Sequence, residues 1–343
     1  MKLSNLITLK YGKNSKKVEA QIGYPIYGTS GIMGYANTYL YNKETILFGR
    51  KGSISKVQFI NEPFWCIDTI FYSIINEDKV IPKYLFYKLS NIDFNIYNEG
   101  TTIPSLRADT LNELDIDIHD KFTQQHIVNI IGSIDELIES NNQIISKLLN
   151  ILNQKVNLLA SQTKEFIPLS KIIKEKKERV GTNEVKLLSV VNTGNLILQD
   201  EYFDKNIASA DMTKYKLIRK FDFAYNPARI NIGSIGMLKE NYLGAMSPIY
   251  VVFEINENYK YYLDFYKSSD YMKKYIEKKS SGSVRQNLPF EEFSTIEIPK
   301  INIGLLKEFN SLCDLYYKKI NDLKTKTTKL ETLKNQYLKK FFG

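Results

Sequence analysis

Residues 122–159 constrain the fold of this chain more than any other segment. Apolar side chains recur there at alternating three- and four-residue steps, which places two apolar rows on one side of a helix. A helix of this length would be roughly 60 Å long. Because so narrow an apolar face cannot be buried by the helix itself, the pattern predicts a coiled coil with a partner helix. The first row is Ile131, Ile138, Ile145, Leu152 and Leu159, and the second is Ile127, Ile134, Asn141, Leu148 and Lys155.

One polar residue, Asn141, stands among apolar neighbours in the second row. A single asparagine in a coiled-coil row can fix the register of two paired helices. It can equally be a solvated break in the row. The sequence leaves both interpretations open.

The segments that precede this helix recur after it in the same order. Gly233 follows Gly52 by 181 residues within similar segments, and Gly282 follows Gly100 by 182 residues. A second heptad pattern keeps the same offset, since Phe309 follows Ile127 by 182 residues. The chain is therefore predicted to be a tandem duplication of a globular unit plus a long helix. The second helix has one row of Phe309, Tyr316, Leu323, Leu330 and Tyr337 and another containing Cys313, Ile320 and Phe341, which Thr327 and Lys334 interrupt.

This duplication predicts an α+β fold in which two mixed α/β domains are separated by two long helices. The domains are expected at residues 1–120 and 164–300, and the helices at 121–163 and 301–343. Antiparallel pairing of the helices would relate the two domains by a pseudo-twofold axis. Parallel pairing would crowd both domains at one end of the helix pair. We therefore expect the two helices to pair as an antiparallel coiled coil with internal pseudo-twofold symmetry.

The charge and cysteine content limit the setting in which the chain works. Its net charge is +9 and its pI is near 9.1, which suits a polyanionic partner such as DNA or RNA. Its cysteines, Cys66 and Cys313, do not form a disulfide framework and favour a reducing compartment. No segment of the sequence has the run of about 18 apolar residues that a membrane span needs. We therefore expect a cytoplasmic protein with no membrane partner.

The sequence offers no catalytic residue, no metal site and no cofactor site. His119 and His126, the two histidines, flank the start of the first long helix, where a helix-end or surface role is expected. No G-x-x-x-x-G-K-[ST] loop is present. Asn226-Pro227 partly matches the [DN]PP[YF] motif of amino-methyltransferases, but Ala228 and Arg229 follow it, so we interpret it as a structural turn.

Two short segments, GTTIPSL at 100–106 and YNPARINIGSIG at 225–236, together with the duplicated order of elements, resemble the specificity subunit of type I restriction–modification systems. The resemblance covers the whole chain. It implies a non-catalytic subunit with two target-recognition domains, each reading half of a split site in double-stranded DNA, while the helices set the gap. The implied partners are two methyltransferase subunits and, in many systems, two ATP-dependent restriction subunits that act as translocase and nuclease.

The chain is short for this family, and we expect no extra segment before its first domain. Short readers with this layout also serve type IIB systems. The resemblance therefore extends to their recognition subunit, whose partner is one fused methyltransferase–nuclease chain.

Base edges are read by arginine, asparagine, glutamine, serine and threonine on loops that can enter the major groove. Such residues cluster in loops at matching places of the two repeats, and the residues differ between the repeats, as an asymmetric site requires. The candidates in the first half are Tyr27, Thr29, Ser30, Arg50, Lys51, Ser53, Thr101, Thr102, Ser105 and Arg107. Those in the second half are Asn226, Arg229, Asn231, Ser234, Lys279, Ser281, Ser283, Arg285, Gln286 and Asn287.

Two other functions fit parts of the pattern. A structural or assembly protein could use a coiled coil to space two domains, although the basic charge and the arginine-bearing loops disfavour it. A stand-alone DNA methyltransferase would transfer methyl groups as an isolated chain. A binding assay on split-site DNA and a methyl-transfer assay discriminate between these functions.

Overall fold

The computed structural model of the chain describes residues 1–199, 212–280 and 287–343. The chain forms two compact units, of which the first contains residues 1–142 and 324–343 and the second contains residues 143–323. Each unit combines strands with helices, and each contains part of both long helices. The predicted α+β class with two long helices is therefore confirmed.

The first unit contains the strands β1–β8 and the helices α1 and α2, and the helix α3 begins in it. The strands are β1 (Ile7–Tyr11), β2 (Glu19–Ala20), β3 (Tyr24–Gly28), β4 (Gly31–Ala36), β5 (Thr45–Gly49), β6 (Val57–Ile60), β7 (Trp65–Cys66) and β8 (Ile70–Ile75). The helices are α1 (Pro82–Ser90), α2 (Ala108–Asn112) and α3 (Lys121–Ser161).

The main sheet of the first unit is antiparallel, with the strand order β1-β8-β5-β6. Every residue of β5, in the middle of the sheet, is buried. Helix α1 begins at Pro82, whose fixed φ suits the first helical position, and packs against β5 and β6. Its Tyr84, Leu85 and Leu89 join the core of the unit. A second sheet has the order β2-β4-β3-β7, in which β3 and β4 form a hairpin and β3 runs parallel to β7.

The second unit contains the strands β9–β18 and the helices α4–α6, and the helix α7 begins in it. The strands in the described residues are β9 (Phe166–Pro168), β10 (Ile173–Lys176), β11 (Lys186–Val190), β12 (Leu196–Leu198), β13 (Lys216–Ile218), β14 (Phe223–Tyr225), β15 (Ile235–Met237), β16 (Gly244–Met246), β17 (Val251–Ile255) and β18 (Glu297–Pro299). The helices are α4 (Lys260–Tyr266), α5 (Asp270–Ser280), α6 (Phe290–Phe293) and α7 (Ile303–Phe342).

The strand order of the first unit recurs in the second. The antiparallel sheet β10-β17-β14-β15 matches β1-β8-β5-β6 strand for strand. In the other sheet, β12-β11-β16 matches β4-β3-β7, with the same hairpin and the same parallel pair. The topology therefore confirms the duplication that the sequence predicts.

Most side chains of the predicted rows are buried or partly buried in both long helices. Asp120 caps the start of α3, since its carboxylate accepts hydrogen bonds from the backbone of Phe122 and Thr123 at 3.0 Å. Side chains of both rows, among them Ile127, Ile131, Leu152 and Leu159 of α3 and Phe309, Cys313, Ile320 and Leu323 of α7, are buried.

The prediction of a buried side chain is wrong at one position of the rows. Lys155 is exposed, and the next residue, Val156, is fully buried in its place. A four-residue step from Leu152 followed by a three-residue step to Leu159 keeps the apolar face buried and leaves the lysine charge in water.

Within the first unit, the facing segments of the two helices run antiparallel. The amide of Asn141 donates to Thr327 Oγ1 at 3.2 Å, and Lys334 Nζ lies 2.6 Å from a carboxylate oxygen of Asp135. Moving backwards along α3 therefore corresponds to moving forwards along α7.

In the part of the chain that the structure describes, no helix is long and apolar enough to cross a membrane.

Candidate nucleic-acid interface

The candidate loops of the first unit are joined to each other by main-chain hydrogen bonds. The loop after β5, which begins at Arg50, meets the segment that precedes α2. Gly52 N donates to the Pro104 carbonyl at 2.9 Å, and Leu106 N donates to the Arg50 carbonyl at 3.0 Å. Lys51 and Ser105 form a β-bridge between these two bonds. The structure thus brings together two loops that are about fifty residues apart in the sequence.

The turn of the β3–β4 hairpin lies against the same loop. Gly52 has a φ of 96°, which favours glycine, and a Cβ at this position would lie 3.7 Å from Thr29 Oγ1. The neighbouring Ser30 is exposed. All three candidate loops of the first unit therefore contribute to one surface.

The exposed candidates on this surface are polar or basic. Arg50 is oriented by two contacts, since its guanidinium donates to the Asp68 carbonyl at 3.0 Å and lies 5.3 Å from the centre of the Tyr11 ring. Lys51 and Ser53 are exposed on the same loop. Exposed donors on a glycine-bearing loop can contact phosphate oxygens or base edges.

The segment before α2 is closed by its own hydrogen bonds. Asn98 Oδ1 accepts from Gly100 N and Ser105 N, both at 2.9 Å. A Cβ at Gly100 would lie 1.9 Å from the Ile103 carbonyl oxygen, so the closed loop requires glycine there. Thr101 and Thr102 lie at its exposed tip.

Two candidates of the first unit have side chains engaged within the protein. The Tyr27 side chain is buried, and its hydroxyl donates to Glu62 at 3.0 Å. Burial, followed by this hydrogen bond, raises the pKa of Tyr27 to about 12. Arg107 is exposed but lies 3.0 Å from the Glu99 carboxylate. Tyr27 is therefore not part of the exposed surface, and Arg107 orders the loop through its contact with Glu99.

The second unit repeats the junction between the two loops. Leu288 N donates to the Pro227 carbonyl at 3.0 Å, which corresponds to the bond between Leu106 and Arg50. The hydroxyl of Tyr225 donates to the Leu288 carbonyl at 3.1 Å and strengthens the junction. The side-chain oxygen of Asn226 accepts from Ala228 N at 3.0 Å, so Asn226-Pro227 forms the structural turn that the sequence predicts.

This turn presents Arg229 as an exposed side chain. Asn231, two residues on, is partly buried in the same loop, and Asn287 is exposed beside the junction. Ser234 differs, since its side chain is buried and its hydroxyl donates to the Val190 carbonyl at 3.1 Å. Ser234 therefore stabilises the loop from inside and is not part of its exposed surface.

The remaining candidates of the second unit are near or beyond the end of α5. Lys279 lies in the last turn of this helix, 6.0 Å from the centre of the Tyr275 ring. Ser281, Ser283, Arg285 and Gln286 lie outside the described residues.

The sequence comparison of the two halves missed one loop of the second unit. The topology shows that the β11–β12 turn, residues 191–195, is the counterpart of the β3–β4 turn. The segment VVNTGNLIL places polar turn residues and a glycine between two apolar runs, which is a hairpin signal. It could have been found by that signal, although its spacing from the other loops differs from the first half.

A buried ionic cluster lies beneath this turn. Asp264 is ion-paired with Lys267 and with Lys239, the latter at 2.8 Å, and Lys267 Nζ also donates to the Gly194 carbonyl at 3.1 Å. Burial alone would raise the pKa of Asp264, but the two lysine charges outweigh it and hold the pKa at about 2. Burial lowers the pKa of Lys267, which Asp264 partly opposes.

Within the described residues, no group of three or more histidine, cysteine, aspartate or glutamate side chains is arranged to hold a metal ion.

Comparison with known proteins shows what this chain is similar to. The model of the family described as "Type I restriction modification DNA specificity domain" matches residues 1–150. Among curated protein sequences, no significant match to this chain is found.

Solved structures with a similar fold include the S subunit of a type I restriction–modification system from M. genitalium. That structure has a TM-score of 0.62 at 18% identity, and the alignment covers 100% of this chain and 95% of that one. The HsdS subunit from Thermoanaerobacter tengcongensis has a TM-score of 0.35 at 11% identity, with 100% and 95% of the two chains covered. A structure from work on complex assembly and conformational transition of the type I R-M system has a TM-score of 0.41 at 10% identity, with 100% and 96% covered.

These comparisons confirm the resemblance predicted from the sequence. Residues 1–150 match the model of the type I restriction–modification DNA specificity domain, and the chain shares its fold with a type I S subunit over its whole length.

Proposed function

We propose that this chain is the sequence-reading subunit of a restriction–modification complex, and that each unit reads one half of a split site in double-stranded DNA. The observation that carries the proposal is the repeated junction of two polar loops. The Leu106–Arg50 bond in the first unit and the Leu288–Pro227 bond in the second hold equivalent loops together. The exposed side chains on these loops differ, so the two surfaces would select different bases.

The surface in the first unit consists of eight candidates with exposed or partly exposed side chains: Thr29, Ser30, Arg50, Lys51, Ser53, Thr101, Thr102 and Ser105. The surface in the second unit contains Arg229, Asn231 and Asn287. Arginine donates two hydrogen bonds to guanine, and asparagine pairs with adenine. The overall charge of +9 would add affinity for phosphates that does not depend on sequence.

In this proposal the chain itself is not an enzyme. The methyltransferase subunits, and in many systems ATP-dependent restriction subunits, would supply methyl transfer and cleavage. Helix α3 contributes to both units, and its 41 residues correspond to roughly 60 Å. We propose that this length sets the number of unread base pairs between the half-sites.

The proposal is tested by selecting duplexes from a random library with the full-length chain, alone and together with the methyltransferase subunits of its own system. We expect two short conserved blocks separated by a fixed gap. Arg229→Ala should lower affinity for the selected duplex by about 1–3 kcal/mol and relax preference in one block only. Lys171→Ala, which alters an exposed lysine before β10 in the same unit, is the control.

Failure of the library to converge on any motif would reject the proposed function. Equal loss of preference in both blocks on Arg229→Ala would reject the assignment of one block to each unit. Methyl transfer by the isolated chain would show that it is a methyltransferase in its own right.

A further inference from the structure

The β11–β12 turn occupies the same place in the second unit as the β3–β4 turn in the first. Each turn connects the strands of a hairpin, and the first strand of each hairpin runs parallel to a strand of the same sheet, β7 or β16. The β3–β4 turn carries the candidates Thr29 and Ser30. The β11–β12 turn carries Asn192, Thr193 and Asn195, all of which are exposed.

In each unit, one glycine of the neighbouring loop packs against the hairpin turn. Gly52 and Gly233 have φ values of 96° and 93°. A Cβ at Gly52 would lie 3.7 Å from Thr29, and a Cβ at Gly233 would lie 2.4 Å from the carbonyl oxygen of Asn192. The contact at Gly233 excludes any larger residue, so the turn and the Arg229 loop pack main chain against main chain.

The turn is also held from two further directions. Ser234 donates to the Val190 carbonyl at the end of β11, and the buried Lys267 donates to the Gly194 carbonyl inside the turn. Gly194 itself has a φ of 75°. Three contacts therefore fix the backbone of the turn that carries these exposed side chains, which lowers the entropy lost when the turn binds a ligand.

Asn192 and Arg229 line a common groove. The groove has a volume of about 290 Å³, and Ile232 also lines it. Asn192 also lines a second groove of about 380 Å³, together with Thr193 and Asn231. The turn therefore faces the same space as the loop that carries the proposed reading residues.

We infer that the β11–β12 turn is a third DNA-reading loop of the second unit, in which Asn192 and Asn195 contact base edges and Thr193 contacts a base or a phosphate. This inference rests on the proposed function. An asparagine amide presents one donor and one acceptor, which matches the major-groove edge of adenine. The turn thus supplies adenine-type recognition beside the guanine-type recognition of Arg229.

The test uses the full-length chain and the duplex selected by the wild-type protein. Asn192→Ala and Asn195→Ala are each expected to lower affinity by about 5- to 150-fold and to relax preference at one or two base pairs of a single block. Asn241→Ala is the matched control, since this exposed asparagine precedes β16 at the opposite end of the hairpin strand β11. Circular dichroism and thermal unfolding verify that each variant is folded.

Unchanged affinity and preference in both turn variants, while Arg229→Ala still loses preference, would overturn the inference and leave the proposed function standing. Equal weakening on selected and scrambled duplexes would also overturn it, because base contacts must discriminate between sequences. Failure of the wild-type chain to select any motif would overturn the proposed function and this inference together.

Discussion

The side-chain amide of Asn141 donates a hydrogen bond to Thr327 Oγ1 at 3.2 Å, so a polar residue in the buried row of α3 meets the polar residue that interrupts the row of α7. Thr327 is only 9% exposed. A solvated break would leave both side chains in water. The pairing therefore favours the first of the two interpretations of Asn141, in which it fixes the register of the helices.

We expect Asn141→Ala and Thr327→Ala each to lower the free energy of unfolding by about 0.5–1.5 kcal/mol, because each leaves a partner without its hydrogen bond. The double variant should lose less than the sum of the two single losses. Urea unfolding measures all three values, and Asn142→Ala, at the exposed neighbouring position, serves as control. Strictly additive losses would show that the two side chains do not interact.

The hydroxyl of Tyr87 donates to the Asp135 carboxylate at 2.7 Å, and the ring is almost fully buried. Burial, followed by the contact with Asp135, raises the pKa of Tyr87. Tyr87→Phe removes a hydrogen bond to a charged group and should lower the free energy of unfolding by about 1.5–3 kcal/mol. Tyr97→Phe removes the same hydroxyl from a partly buried ring packed against the same core and is the control. It should lower the free energy of unfolding by less. Equal losses for the two variants in denaturant unfolding would argue against the bond between Tyr87 and Asp135.

The ionic cluster at Asp264 predicts a dependence of stability on acid pH. The pKa of Asp264 is about 2 in the folded chain and 3.8 in a free side chain, so the unfolded chain binds the proton more readily. The stabilisation is therefore complete above the unfolded pKa and is lost as the pH falls from about 4 to 2. Measuring the free energy of unfolding against pH for the wild type and Asp264→Asn tests this expectation.

Asp264→Asn should remove that acid transition and cost about 3–5 kcal/mol near neutral pH, because it leaves two lysine charges without a counter-charge. If this variant does not fold, Lys239→Met provides the second measurement. It leaves Asp264 with Lys267 alone, so the acid transition should move to higher pH. An unchanged transition in Lys239→Met would contradict the assignment.

Lys51 is exposed on the loop that joins the segment before α2. If it contacts phosphate, Lys51→Ala should weaken binding to all duplexes alike and reduce the slope of log affinity against log salt by about one. Lys43→Ala, at an exposed lysine that precedes β5 at the other end of the strand, should leave the slope unchanged. A change of base preference in Lys51→Ala would instead identify Lys51 as a base-reading residue.

Inserting one heptad into each long helix tests the proposal that helix length sets the number of unread base pairs between the half-sites. Seven residues after Leu148 in α3 and seven after Ile320 in α7 keep both apolar rows in phase and add about 10 Å to each helix. The gap in the selected site should grow by about three base pairs while both half-sites stay the same. The insertion in α3 alone should mainly lower the free energy of unfolding. A change in the half-sites selected by the double insertion would contradict the proposal that helix length sets only the gap.

The long helices and the duplication could be predicted because they depend on spacing alone. A heptad row repeats regardless of what surrounds it, and the 182-residue offset between Ile127 and Phe309 appears directly in the sequence. The one misplaced position, Lys155, shows the limit of a strict heptad. The charged side chain takes the exposed position, and a four-residue step brings Val156 inside.

The candidate loops were predictable only in part. The sequence identifies polar residues in loops, but it does not show which of them point inward. Ser234 is buried because a carbonyl from β11, at Val190, lies within reach of its hydroxyl. The β11–β12 turn was missed because the segment between its hairpin and β14 is longer than the one between β4 and β5, which breaks the fixed offset.

The junctions between the loops have a consequence for evolution. The bonds from Leu106 to Arg50 and from Leu288 to Pro227 join a main-chain N–H to a main-chain carbonyl, groups that every residue type except proline possesses. Replacing an exposed side chain such as Arg229 leaves these bonds in place. A lineage that carries this fold can therefore acquire a new target sequence by single substitutions, without first having to rebuild the scaffold that presents them.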